Sequence, residues 1–170
     1  EKTLADPRVK VLLFCSPHNP AGRVWTADEI RRTAQIAHQA GVLFVCDEIH
    51  GEFVFGGSRY LPAAQVEGVD PLRTVILTSP TKTFNLAGAG IAAIIAPDPK
   101  VRAKIDRAIN DNECCDVNVF GVAADIAAWN HGEAWLEALL SYLQGNLDAA
   151  QAFFAEKLPL CRLSKIGRAH

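Results

Sequence analysis

Residues 9–48 read VKVLLFCSPHNPAGRVWTADEIRRTAQIAHQAGVLFVCDE, and this stretch decides the fold class. Val9 to Cys15 is a mostly apolar run stopped by Ser16-Pro17, the pattern of a strand buried on both faces. A loop from Pro17 to Trp25 follows. Thr26-Ala-Asp-Glu29 supplies a capping hydroxyl with a Glu three residues on, and Ile30, Thr33, Ala34, Ile36 and Ala37 share one side of the helix that it starts. That helix ends at Gly41. Val42 to Cys46 is a second buried strand, and Asp47-Glu48 stand as a solvated carboxylate pair at its carboxyl end. Strand, helix, strand with continuous rather than alternating apolar runs implies parallel pairing through a right-handed crossover. The fold class is therefore α/β, a three-layer α/β/α arrangement on a mostly parallel sheet. In such sheets ligands gather at the carboxyl ends of the strands.

Working outward, Thr74 to Thr78 is a third strand ending at Ser79-Pro80, and Gly90 to Ala96 a fourth. Lys100 to Ile109 reads as a short helix and Phe120 to Asn130 as another. Glu133 to Lys157 is a long helix with Trp135, Leu136, Leu139, Leu140 and Leu143 spaced for one buried face, and Gly145 is a point where it can bend.

The chain has 170 residues, of which 49% are hydrophobic and 21% charged, the composition of an ordinary folded domain rather than a disordered one. A net charge of -2 gives no electrostatic footprint for nucleic acid. The longest apolar stretches, Val42 to Cys46 and Ile91 to Pro97, fall far short of the about 20 residues of a membrane-spanning helix, so no membrane partner is expected. Five cysteines without CxxC spacing and a start without an apolar signal region fit a reducing, cytoplasmic setting. No methionine occurs, not even at position 1, so the chain reads as a piece of a larger protein.

Three polar signals stand at three strand ends. Ser16-Pro-His-Asn-Pro-Ala-Gly-Arg23 follows the first strand, Cys46-Asp-Glu-Ile-His50 closes the second, and Thr78-Ser-Pro-Thr-Lys-Thr-Phe-Asn-Leu-Ala-Gly88 follows the third. Each alone is ordinary turn or surface chemistry. Together they offer an amide at Asn19, a carboxylate at Asp47 and an amine at Lys82 along one sheet edge. That trio suits pyridoxal phosphate, whose aldehyde forms a Schiff base with a lysine, whose protonated ring nitrogen pairs with a carboxylate and whose phenolate accepts from an amide.

The order Asn-Pro-x-Gly-Arg, Asp-Glu-Ile-His with its Asp 28 residues after Asn19, and Ser-x-x-Lys-Thr-Phe-Asn with its Lys 35 residues after Asp47 resembles the fold-type I pyridoxal phosphate enzymes. Within that class SPHNPAGRVW, CDEIH and TKTFNLAG are most similar to the MalY/PatB-type cystathionine β-lyases, a group also counted with the class I/II aminotransferases. The resemblance runs from about Val9 to Lys165. It implies that Lys82 holds the cofactor and acts as the base at the substrate Cα. It implies further that Asp47 keeps the ring nitrogen protonated, that Asn19 bonds the phenolic oxygen, and that His50 occupies the place of a Tyr in aspartate aminotransferases. Ser79, and more weakly Thr81, are implied as phosphate contacts. Gly90 stands where many aminotransferases carry an arginine, so phosphate binding leans on other groups.

The implied reaction is β-elimination of a sulfur amino acid to thiol, pyruvate and ammonia, with transamination as the near alternative and a non-catalytic aminotransferase-like regulatory module as the alternative of another class. A small amino-acid substrate and a homodimer are the implied partners. The implied organisation is residues 1–130 as the second half of the large cofactor-binding domain and 131–165 as the helix leading to a small domain. Residues 166–170, IGRAH, read as a translated sequencing adapter, with a natural loop as the alternative. By the same resemblance, the ring-stacking aromatic and the phosphate-binding helix start precede position 1, and the arginine for the substrate carboxylate follows position 170.

For the remaining candidates the structural reading is preferred. His18 serves loop hydrogen bonding, Arg23 an ion pair, and His38 and His131 lie on helix surfaces. Cys114-Cys115 pack rather than bind metal, no site completing them, and Trp25, Trp129 and Trp135 are core or interface anchors.

Overall fold

The computed structural model describes residues 2–163. Its frame is a four-stranded sheet in the order β1 (Val11–Cys15), β2 (Leu43–Asp47), β3 (Thr74–Thr78), β4 (Ala93–Ile95). The first three strands are parallel and β4 runs antiparallel to β3, so the sheet is mostly parallel and the α/β class stands. β1 passes to β2 through helix α1 (Ala27–Gln39), opened by a full capping box in which Thr26 and Glu29 satisfy each other's backbone donors. The return from β2 to β3 has no α-helix; residues 48–73 make it with two single-turn 3₁₀ segments, Ala63–Gln65 and Pro71–Arg73.

One face of α1 buries Ile30, Ala34 and Ala37 against Phe44, Cys46 and Ile76, with Val66 and Val69 closing the core beneath the sheet. The opposite side of β1 is not covered as its apolar run suggests. Val11 and Leu13, two residues apart and so on one side of the strand, are 51% and 65% exposed. A continuous apolar run shows that both sides of a strand are apolar, not that both are packed. His38 also departs from expectation. It is buried at the end of α1, edge-on to Phe44 with ring centroids 6.4 Å apart, and its Nε2 lies 3.1 Å from the Arg73 carbonyl. Burial and the nearby Arg73 charge hold its pKa below the ordinary value.

After β3 comes the four-residue α2 (Pro80–Thr83), and beyond β4 follow α3 (Pro99–Asp111), α4 (Val119–His131) and α5 (Glu133–Lys157). α5 is unbroken through Gly145. Its leucines are only half-buried, and Trp135 is 48% exposed. Cys114 and Cys115 are exposed, contrary to the packing expected of them. Among the described residues no helix is long and apolar enough to cross a membrane. The expected tail over 166–170 lies outside the described residues.

Candidate functional site at the carboxyl edge of the sheet

Register fixes the site. Cys15, Asp47 and Leu77 are direct partners across β1, β2 and β3, so the three parallel strands end on one line. Asn19 lies four residues beyond Cys15 and Lys82 five beyond Leu77, which puts all three expected polar residues at the same sheet edge.

Asn19 sits at the tip of a loop that the backbone closes twice, His18 N–H donating to the Arg23 carbonyl at 2.7 Å and Gly22 N–H to the His18 carbonyl at 2.9 Å. The loop is tied to the end of β1 by the Trp25 indole, which donates to the Cys15 carbonyl at 2.9 Å. Arg23 lies 4.1 Å over the Trp25 ring and is ion-paired to Glu29, the structural use expected of it. Asn19 itself is exposed.

Asp47, the last residue of β2, is half-buried, and its Oδ1 accepts the Ile49 N–H at 3.1 Å. Its neighbour is not the solvated partner that the sequence suggests. Glu48 is 2% exposed; one oxygen accepts the Ala63 N–H at 2.7 Å and the other the Tyr60 hydroxyl. Successive strand residues point to opposite faces, so Asp47 and Glu48 part company at the strand end. Glu48 thus anchors the long return loop from beneath. Gly51 lets it do so, because a Cβ there would come within 2.6 Å of Tyr60 Cζ. His50 is buried within the same turn. The Glu48–Tyr60 pair escaped sequence reading, since nothing local ties residues twelve apart in an irregular loop; an acidic residue directly after a buried strand was the only signal.

Burial pushes the Glu48 carboxyl above its ordinary range against the pull of the Tyr60, Ala63 and Cys46 donors. With a raised folded pKa, its contribution to stability is complete below the ordinary glutamate pKa of about 4.3 and is lost as pH rises through the folded value. Relative to Glu48→Gln, which cannot titrate, the wild-type chain is therefore expected to lose stability as pH rises from about 4 towards neutrality. Urea midpoints of both chains over that range check this. A difference that stays constant with pH would remove the assignment.

Lys82 lies on α2, a single turn capped by the Ser79 hydroxyl, which accepts the Thr81 N–H at 3.1 Å. Lys82 is exposed and, among the described residues, forms no ion pair. Ser79 Oγ also donates to the Ile91 carbonyl at 2.6 Å, so the 2.7 Å contact between the two hydroxyls has Thr81 as the donor. Both hydroxyl protons are engaged within the chain. Among the described residues no three His, Cys, Asp or Glu side chains gather as metal ligands. An open cleft of about 860 Å³ nearby is lined by Arg23, Trp25, Glu29 and Arg59, not by Asn19, Asp47 or Lys82.

The family profile described as aminotransferase class I and II matches residues 1–154. The chain belongs to this family. It is 35% identical over 165 residues to cystathionine beta-lyase PatB of Bacillus subtilis, covering 97% of this chain and 43% of PatB. It is 36% identical to protein MalY of Escherichia coli, covering 92% of this chain and 40% of MalY. The PLP-bound C-S lyase from Staphylococcus hominis superposes with a TM-score of 0.87 at 28% identity, over 99% of this chain and 42% of that one. The chain thus spans about two fifths of the length of the relatives it matches.

Proposed function

We propose that this chain is the strand-end half of the cofactor-binding domain of a pyridoxal phosphate-dependent carbon–sulfur β-lyase, acting on a cystathionine-like amino acid. Residues up to about 130 belong to that domain, and α5 carries the chain toward a second, smaller one. The observation that carries the reading is the in-register ending of β1, β2 and β3, with Asp47 at the end of β2, Asn19 four residues beyond Cys15 and Lys82 five beyond Leu77. The similarity to PatB and to the C-S lyase supports the lyase branch.

The donor set fits the cofactor. An exposed amine suits its aldehyde, a half-buried carboxylate its ring nitrogen, and an exposed amide its phenolic oxygen. When bound, pyridoxal phosphate supplies an electron-poor ring conjugated to the substrate nitrogen, which acidifies the proton on Cα. Asp47 holds a proton on the ring nitrogen through a charge-assisted hydrogen bond. The Asn19 amide donates to the phenolic oxygen, and the buried His50 packs at the same strand end. Lys82 Nζ anchors the cofactor and then takes the Cα proton from the substrate. Loss of that proton and of the Cβ–S bond expels a thiol, and hydrolysis of the remaining three-carbon fragment gives pyruvate and ammonia. Ser79 and Thr81 place hydroxyls at the start of α2 for the phosphate, and each must turn from its internal partner to donate. A homodimer and a cytoplasmic setting complete the proposal.

Transamination is the second reading, favoured by the family profile itself, because the same three strand-end groups serve both reactions. The two differ in what they need. A lyase runs on one substrate, whereas an aminotransferase stalls after one turnover until a keto acid is supplied. The full-length enzyme is expected to release thiol and pyruvate continuously from cystathionine with no keto acid added. A single turnover followed by arrest, relieved by keto acid, would transfer the assignment to transamination.

A further inference from the structure

α2 is only one turn long, and a single turn does not hold its own geometry in water. What fixes the position of Lys82 must come from the segments packed against it. Two residues beyond Lys82, the Phe84 ring meets Trp129 edge-on at 5.4 Å between centroids and Trp135 at 6.1 Å with a 36° tilt. Those tryptophans stand on either side of Gly132, the junction between α4 and α5.

Gly132 has φ -86° and ψ -5°, a conformation open to any residue, so backbone freedom does not explain a glycine there. Space does. A Cβ at this position would lie 2.4 Å from Phe84 Cε1, 2.9 Å from Phe84 Cδ1 and 2.5 Å from the Ala128 carbonyl oxygen. One helix-length away on the same element, a Cβ on the buried Gly121 would lie 2.6 Å from the Ala89 carbonyl oxygen. α4 and its capping glycine therefore hold the stretch just after Lys82 at two points, Phe84 against Gly132 and Ala89 against Gly121. Between those grips the chain is kinked by left-handed Asn85, φ 55°, and the Leu86 N–H bonds back to the Thr81 carbonyl at 2.9 Å.

We infer that Gly132 is a positioning residue for Lys82, acting through Phe84, so that the α4–α5 junction sets where the lysine amine stands. The inference rests on the proposed cofactor role of Lys82. For a Cβ at Gly132 to reach ordinary contact beyond 3.4 Å, the Phe84 ring must yield by about 1 Å. A displacement of about that size at a reacting group costs up to about a hundredfold in rate.

The test uses the full-length holoenzyme with Gly132→Ala, Trp135→Leu and, as control, Gly145→Ala, where a Cβ meets nothing within 4 Å. Three quantities are read: melting temperature, the midpoint of the pH titration of the bound cofactor's absorbance, and the rate at which borohydride fixes cofactor on Lys82 by peptide mass mapping. Gly132→Ala is expected to slow fixation at Lys82 by about tenfold or more and to shift the titration midpoint. The double variant Gly132→Ala/Phe84→Leu, which removes the overlapping ring, is expected to recover part of the rate. Gly145→Ala leaves all three unchanged. If Gly132→Ala lowers the melting temperature while midpoint and fixation match the wild type, its role is structural only and the inference is overturned. Should Gly132→Ala fail to fold, Trp135→Leu decides in the same way, because it loosens the ring without overpacking. Wild-type enzyme that fixes no cofactor on Lys82 would instead overturn the cofactor reading, and this inference with it.

Discussion

Asp47→Asn in the full-length enzyme is expected to cut turnover of cystathionine by about a hundredfold or more, the scale of removing one preorganised electrostatic group from a reacting centre. The substitution keeps the size of the side chain and its place at the end of β2, and the amide oxygen can still accept the Ile49 N–H. What it removes is the negative charge that keeps a proton on the ring nitrogen, and with it the pull on the electrons left at Cα. Cofactor retention is expected to change far less, since Lys82 is untouched. Glu48 cannot stand in, because its two oxygens are held by Tyr60 and Ala63 beneath the sheet. Steady-state kinetics on matched preparations decide it: wild-type turnover by the variant would remove Asp47 from the site.

Lys82→Ala is expected to have a larger effect, on the order of a thousandfold or more, because the same amine both anchors the cofactor and serves as the base at Cα. A general base alone contributes about 10² to 10⁴ in rate. The variant keeps the Ser79 cap and the buried Thr81 and Thr83 that seat α2, so its fold is expected to survive. Borohydride treatment followed by peptide mapping supplies the second readout. Wild-type enzyme gains cofactor mass on the peptide holding Lys82, and the variant gains none there. Label falling mainly on Lys100 or Lys104 in the wild-type enzyme would show that the anchoring amine had been misassigned.

Much of the fold was legible because buried strands advertise themselves. Thr74 to Thr78 and Glu133 to Lys157 occur with the bounds that their apolar patterns imply, and the Thr26 cap begins α1 as its spacing implies. Two of the errors share a physical origin in what approaches from elsewhere in the chain. His38 reads as a surface residue until Phe44 and the Arg73 carbonyl close over it. Glu48 reads as solvated until Tyr60 arrives from twelve residues on. Gly90 to Ala96 reads as one strand, yet only Ala93–Ile95 pairs, since Gly90 is left-handed and cannot extend the run. α2 was missed although Ser79-Pro80 is a cap followed by a proline at the first helical position. In the site, the strand ends that carry Asn19, Asp47 and Lys82 could be found from sequence. The grip of α4 on the lysine segment could not, because its evidence is the space around two glycines.

The two rims of the sheet differ in how readily they recruit a foreign chain. β4 is three residues long and runs against its neighbour, too short to template further strand growth. β1, the opposite rim among the described residues, offers five uncharged residues, Val11–Cys15, with two of their apolar side chains open to water. Lys10 at its head is the one charge in the Val9 to Cys15 run that opposes intermolecular β-pairing. The segment that makes the first strand easiest to recognise is thus also, among the described residues, the sheet rim more open to intermolecular β-pairing, and Lys10 is its gatekeeper.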